Sequence, residues 1–460
     1  MAEMPAAKIG ASSSGVESRE APHFRMRPLY LITAVTAALG LRFFWMTWKY
    51  AVNVIFSDQW DFLDPFFRGQ PGIAKLFLWQ HGPHREGIGL IADKLLYPAT
   101  HWDARADSFQ IGVCIFASAL LALLLKRKLF GAFSYSDAAI PCMFLTLSQF
   151  ETLVGEPNPA CSGYPLLLMM LFCLALLQPN RFLRYGFALL LNALLVYTGY
   201  GFFFGPVTIL VFLSECAWSR RQPEAGSVFA PLTGLAIAAA TLGSFFIRYT
   251  FTTAVGCFGV PLRQSYFYPW FMAVMFSTYV GLKGHFVVTA IGALLLAAAL
   301  FVAASSFVRG GGRVRARFLV CGALTAFSLL FALFAAVGRV CLGLPAAAQS
   351  SRYGTLMIPA YLGMYFYCLS APWPKWWKVL PAACLVLVLP GLWAVPRTVA
   401  LLAKQKAGWA ECYKRIENVE QCDQEAGIKV FPEPARTGLR GKLDFLKQHR
   451  LNLFFTPSGR

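Results

Sequence analysis

Long apolar runs constrain the fold of this 460-residue chain more than any other feature. Runs such as 287–308, 318–337 and 379–395 approach or reach the ~20 residues needed to cross ~30 Å of hydrocarbon. Backbone N–H and C=O groups find no water in lipid and must bond within their own segment, so these runs are expected to be helices. A soluble core accounts for one such run, not for ten or eleven. Charged side chains are only 14% of the residues, against about 25% in soluble domains. The fold class expected is an all-α polytopic membrane protein of about eleven transmembrane helices. The spans are expected near 28–52, 109–125, 138–150, 164–178, 185–198, 202–218, 228–247, 286–308, 318–340, 354–370 and 379–396.

The net charge of +19 raises the question of nucleic acid, but its distribution answers differently. Much of it sits in short loops between runs: Lys126-Arg127-Lys128, Arg181 and Arg184, Arg220-Arg221, Arg309, Arg313, Arg315 and Arg317, and Lys375 with Lys378. Short cytoplasmic loops carry Lys and Arg in excess, so these are topology signals and no nucleic-acid partner is expected. With those loops inside, 1–27 is a cytoplasmic N-terminal segment, 28–396 the transmembrane domain and 397–460 a small extracytoplasmic tail. The external loops are then 57–108, 151–163, 248–285 and 341–353. The first 25 residues are polar and Ser-rich and lack the apolar stretch of a cleavable signal peptide. A twelfth span at 268–281 would turn 309–317 outward, so that stretch is expected to be re-entrant or surface-lying. Gly199-Tyr200-Gly201 suits a tight external hairpin, and the absence of a visible internal repeat argues against an inverted-repeat transporter.

Of the twelve cysteines, Cys114, Cys142, Cys173, Cys216, Cys321, Cys341, Cys368 and Cys384 fall in apolar runs and read as small hydrophobes. No metal-type cysteine pairing stands out. Cys412 and Cys422 lie in the tail, on the side where oxidation is permitted, and are expected to form a disulfide. A straight helix would hold them ~15 Å apart, so the bond requires the helix around 409–420 to end before Cys422.

The loop 57–108 is too long for a connector and is rich in rings and charge. Ile88, Ile91, Ala92, Leu95 and Leu96 recur at helical spacing, which fits a helix lying in the membrane interface. Four features share the external face. They are Ser57-Asp58-Gln59-Trp60-Asp61, Gln80-His81-Gly82-Pro83-His84-Arg85, Gln149-Phe150-Glu151 with Glu156-Pro157-Asn158, and Arg339 with Ser351-Arg352-Tyr353. Arginine binds phosphate bidentately and keeps its charge when desolvated, and a carboxylate can take a proton from an attacking hydroxyl. Each piece also has a plainer reading. Asp58 and Asp61 suit a solvated loop, Trp60 an interfacial belt, and Arg85 and Arg352 helix-end basics that snorkel. His81 and His84 could share a metal, but no acidic helper stands beside them, and no metal site is expected. Arg42, mid-run in the first helix, must face the bundle interior and find a partner.

The acidic pair after the first helix (Asp58, Asp61), the His81–Arg85 element that ends the loop and the late Ser351-Arg352-Tyr353 resemble the bacterial branch of the GT-C glycosyltransferase superfamily. The resemblance extends loosely over about 30–400. This chain has Gly82-Pro83 where the histidine element usually carries Asn-Glu, so no acid stands between the two histidines. The resemblance implies sugar transfer from a polyprenyl-phosphate donor to a glycan or lipid acceptor, at the outer face of a bacterial inner membrane. It gives Asp58 or Asp61 the role of base, with Asp58 favoured because it is nearest the helix end. It gives Arg85, Arg339 and Arg352 the leaving phosphate, and His81 and His84 contacts to phosphate or acceptor, with Glu151 and Tyr353 in the same substrate-binding group. A divalent cation is compatible with this chemistry and is not implied by the sequence. Two other classes stay open: a polymerase or ligase using the same donors, and a transporter or flippase.

Overall fold

A computed structural model describes residues 27–69, 71–222, 227–253, 255–258, 261–282, 286–309, 314–370, 380–393, 397–432 and 438–456. The expected N-terminal segment, Arg313, Lys375 and Lys378 lie outside them, apart from Arg27 at the start of the first helix. The architecture is all-α, and among the described residues the only strands are the two-residue pair Gln80–His81 and His84–Arg85.

Six helices are long and apolar enough to cross a membrane among the described residues. They are Arg27–Tyr50, Arg105–Phe130, Gly199–Arg221, Val287–Val308, Arg315–Leu342 and Pro381–Ile416, of which 394–396 lie outside the described residues. The expected eleven were too many, because several apolar runs are broken or shortened by the backbone. The run at 138–150 yields only the helix Ala139–Phe144, followed by a 3-10 turn and a π-helical turn at Glu151–Gly155. Gly163–Ala175 has 13 residues and Arg181–Val196 has 16, lengths of about 20 and 24 Å that fall short of the hydrocarbon thickness. Gly354–Ser370, at 17 residues, lies almost wholly inside the protein.

The centre of the bundle is the pair Arg315–Arg339 and Gly354–Ser370. They approach so closely that a Cβ on Gly363 would sit 2.3 Å from Thr325 Oγ1. Pro359 interrupts the second helix of this pair. The Ser328 hydroxyl inserts at the break, donating to Leu356 O at 2.8 Å and accepting from Ala360 N at 3.1 Å, so the freed backbone groups stay bonded. Arg42 finds its partner as the first helix requires, donating to the carbonyl of Leu392. Tyr268–Tyr279 has 12 residues, about 18 Å. It is buried in the bundle rather than lying on the surface, with the Tyr279 ring 4.4 Å from Tyr361.

A second core forms outside the bundle. Trp60, Leu63, Leu90, Tyr97 and Trp102 of the first long loop pack with Trp409, Leu439, Leu443 and Leu446 of the tail. The tail is therefore no separate appendage. Lys442, nearly fully buried, donates to Trp60 O at 2.8 Å and pairs with Asp64 at 3.0 Å. Within the tail the helix Arg397–Ile416 stops, Glu417 takes a positive φ of 50°, and Asn418 caps Val419–Ala426. That break lets Cys412 and Cys422 meet in a disulfide with Cα atoms 5.6 Å apart. Cys341 is not a small hydrophobe, since it is bonded to Cys257.

In the long loop, Gly87–Ala99 is helical, but it turns Gly89, Leu90, Asp93 and Tyr97 inward. Leu95 of the apolar stripe stays 76% exposed.

Candidate functional site

The site begins with a left-handed Ser57 (φ 53°), a conformation that costs a non-glycine residue about 1–2 kcal/mol. Ser57 N donates to Val430 O at 2.8 Å, so the tail holds this turn. The turn starts the short helix Gln59–Phe62 and presents Asp58 at its N-cap, exposed, with no side-chain cap bond. Neighbouring Gln59 is anchored instead, donating to the buried Asp107 at 2.9 Å. Among the described residues the Asp58 carboxylate has no hydrogen bond or ion pair. Asp61 differs from it. Burial pushes its carboxyl up, and Lys442 at 3.9 Å pulls the other way.

His81 and His84 are direct partners in the two-stranded hairpin. Gly82 takes φ 54°, the positive value that the first central position of a type II′ turn demands. The Gly82-Pro83 departure from the resembled motif is thus what closes the hairpin. The acid that was missing between the histidines stands just after them. Glu86, 1% exposed, lies 3.2 Å from His81 Nδ1 and accepts from Asn158 Nδ2 at 2.9 Å and from the Cys161 thiol at 3.3 Å. Burial opposes the charge on Glu86, but His81 and Asn158 outweigh it and hold the carboxyl below its usual range. Burial likewise opposes the His81 cation, yet Glu86 raises that ring to about 9. For His84 burial dominates and lowers it to about 4. The neighbouring Gly199 allows this packing. Its φ is 62°, and a Cβ there would meet Cys161 Sγ at 2.7 Å.

The second loop and the Ser351-Arg352-Tyr353 turn are stitched together. Glu151 accepts from Ser350 Oγ at 2.6 Å and from Arg352 N at 3.2 Å, while Glu151 N donates to Ser351 Oγ at 3.0 Å. Arg352 Nη1 pairs with Glu156 at 2.5 Å. Burial opposes the Arg352 cation but Glu156 outweighs it, and the guanidinium is held above its ordinary value. Lys406 of the tail, buried, donates to Val154 O at 3.2 Å and to Gly155 O, supporting the π-helical turn that carries Glu151. Such turns recur at functional sites. Rings bridge the two halves: His84 meets Tyr200 edge-on at 4.6 Å, Tyr200 meets Phe331 at 5.2 Å, and Phe331 meets Tyr353 at 6.0 Å.

The groups from these four segments share one electrostatic field. The Asp58 charge favours the protonated forms of His81, His84 and Arg352, and Arg339 opposes protonation of His84. Asp58 thus lies within charge reach of His81, His84 and Arg352, and Arg339 within charge reach of His84. Glu151 stands at the back of this group as a support. Arg85 is not available to a substrate. It is 3% exposed, and its guanidinium donates to Phe245 O at 2.7 Å and to the carbonyls of Leu78 and Ile247. Arg339 has no hydrogen-bond or ion-pair partner among the described residues, and there no group of three or more His, Cys, Asp or Glu side chains suited to a metal occurs.

The arrangement offers an uncommitted carboxylate, a neutral imidazole, an uncommitted guanidinium and a second guanidinium partly engaged by Glu156. That set can accept a proton at one end and stabilise developing negative charge at the other. Sequence reasoning missed Glu86, whose signal was its position next to Arg85, and Lys442, which left no local signal. Comparison of the chain with protein-family models, with curated proteins and with solved structures finds no match.

Proposed function

We propose that this polytopic membrane protein transfers a sugar from a polyprenyl-phosphate donor to a glycan or lipid acceptor, in the manner of the GT-C superfamily it resembles. The observation that carries the reading is the Asp58 carboxylate, exposed and without a partner among the described residues, in the field of His84 and Arg352. Asp58 takes the acceptor hydroxyl proton as the new glycosidic bond forms. Arg339 and Arg352 hold the departing polyprenyl phosphate and offset its charge, and neutral His84 donates a hydrogen bond to phosphate or acceptor. Under this reading the loop 57–108 and the tail lie on the non-cytoplasmic side of a bacterial inner membrane. The test is an assay of membranes containing the protein with a panel of labelled polyprenyl-phosphate sugars. Transfer that disappears in Asp58→Asn supports the proposal, and no transfer from any donor to any glycan or lipid fraction removes it.

A further inference from the structure

The basic end of the bundle holds a second constellation, at the opposite end of the helix Arg315–Arg339 from the site above. That helix has 25 residues, which separates Arg315 from Arg339 by about 36 Å. A cavity of about 220 Å³ opens here, lined by Arg181, Arg184, Tyr185, Glu215, Trp218 and Arg315. Three guanidiniums face one carboxylate, and that carboxylate is already taken. Glu215 accepts from Arg315 Nε at 2.7 Å and from Tyr185 OH at 2.8 Å. Arg315 also donates to Ser214 O and Oγ, the latter at 3.2 Å, and Arg181 donates to Ser219 Oγ at 3.2 Å. Arg184 is different. Its guanidinium stacks 5.3 Å from the Tyr185 ring, and its buried Nε has no hydrogen-bond partner among the described residues. A buried donor on a charged group is costly without an acceptor, and a ligand oxygen entering the cavity that Arg184 lines could supply one.

The surface beside the cavity indicates what supplies that acceptor. Phe182 is 83% exposed and Phe187 47% on the helix that carries Arg181 and Arg184, and Phe229 is 73% exposed on a neighbouring helix. In a membrane-spanning bundle these are lipid-facing rings at the level of the basic loops. We infer that the Arg181, Arg184 and Arg315 cavity binds the phosphate of an anionic phospholipid, whose acyl chains run along Phe182 and Phe187. A phosphate ester provides several acceptor oxygens, and arginine meets it with paired donors. The cavity is smaller than those that enclose whole drug-sized ligands, which suits a headgroup whose chains remain in the bilayer. Basic pockets between transmembrane helices bind such headgroups.

The experiment uses the full-length protein in detergent, with native mass spectrometry and titrated short-chain phosphatidic acid, phosphatidylcholine and inorganic phosphate. Phosphatidic acid should bind in preference to phosphatidylcholine. Arg184→Gln and Arg181→Gln should each weaken that binding about tenfold, the scale of one charge-assisted hydrogen bond. Arg127→Gln, in the last turn of the helix Arg105–Phe130 and outside the cavity, should leave it unchanged, and unaltered melting temperatures establish that the variants are folded. Equal losses in all three variants would mean diffuse charge attraction and overturn the site. Competition by inorganic phosphate at equal concentration would overturn the lipid as its occupant. None of these readouts depends on sugar transfer, so the inference stands or falls apart from the proposed function.

Discussion

His81 and His84 face each other across a two-residue turn, yet their surroundings push the two rings in opposite directions, His81 up to about 9 and His84 down to about 4. Glu86 is hydrogen-bonded to His81, whereas for His84, packed against Tyr200, burial outweighs the pull of the same carboxylate. A ring held cationic and one held neutral thus share a hairpin, and Asp58 and Arg339 both act on the neutral one by charge.

This difference gives a pH prediction with two windows. His81 is raised, so its contribution to stability is full below pH ~6.5 and is lost as pH rises through about 9. His84 is lowered, so the unfolded chain takes up a proton below pH ~6.5 that the folded chain refuses, and stability falls as pH drops toward about 4. Ring-labelled histidine NMR on His81→Gln and His84→Gln variants assigns the two signals among six histidines. Both rings titrating together near 6.5 would contradict the Glu86 pairing.

Asp58 and Asp61 are separated by their partners. Asp58→Asn should change the stability by no more than about 0.5 kcal/mol, as for an unpaired surface group, while lowering transfer at least 10²-fold, as loss of a general base does. Asp61→Asn should keep most of the turnover, because that carboxylate leans toward Lys442. Normal turnover in Asp58→Asn with loss in Asp61→Asn would reverse the assignment.

Arg85 and Arg339 should fail in different ways. Arg85→Gln deprives three carbonyls of a donor, and each buried group left unpaired costs about 1–3 kcal/mol. A loss of roughly 3 kcal/mol in thermal or denaturant unfolding is expected. Arg339→Gln, which breaks no hydrogen bond among the described residues, should fold normally and lower turnover with little change in stability. A stable, inactive Arg85→Gln would return Arg85 to the substrate.

The apolar runs were legible because composition alone reveals them, but composition does not separate a lipid-facing helix from one enclosed by protein. Gly354–Ser370 and Val287–Val308 both read as apolar runs, and only packing reveals that the first is enclosed by protein. Breaks such as the Glu151–Gly155 π-helical turn depend on Lys406, about 250 positions away, so no local window contains their cause. In the site, the paired histidines and the Ser-Arg-Tyr turn were visible as motifs. Glu86 was not, because its role arises from hairpin register. Arg85 was misread because a guanidinium bonded to carbonyls and one awaiting phosphate have the same sequence signature. Lys442 meets Trp60 across 382 positions, a contact that needs the tail folded onto the loop.

The Cys257–Cys341 disulfide constrains how the chain can pass through a membrane. Cys257 and Cys341 are bonded although 84 positions apart in sequence, and two long helices, Val287–Val308 and Arg315–Leu342, lie mostly or wholly in that interval. Two crossings return the chain to its starting face, so the bond is compatible with a Tyr268–Tyr279 helix that enters the bundle without crossing. A third crossing there would strand the two cysteines on opposite faces. The bond therefore tests the short helix as well as itself. Closing a loop of this length contributes roughly 4 kcal/mol in the chain-entropy model, so Cys257→Ser with Cys341→Ser should lower thermal stability measurably. Non-reducing peptide mapping should recover Cys257 linked to Cys341 and Cys412 linked to Cys422. Thiol labelling from outside intact cells, with cysteines introduced at the exposed Thr250 and Lys414, should mark both positions without permeabilisation. Free, alkylatable Cys257 and Cys341 in protein purified without reductant would remove the bond and reopen a crossing at Tyr268–Tyr279.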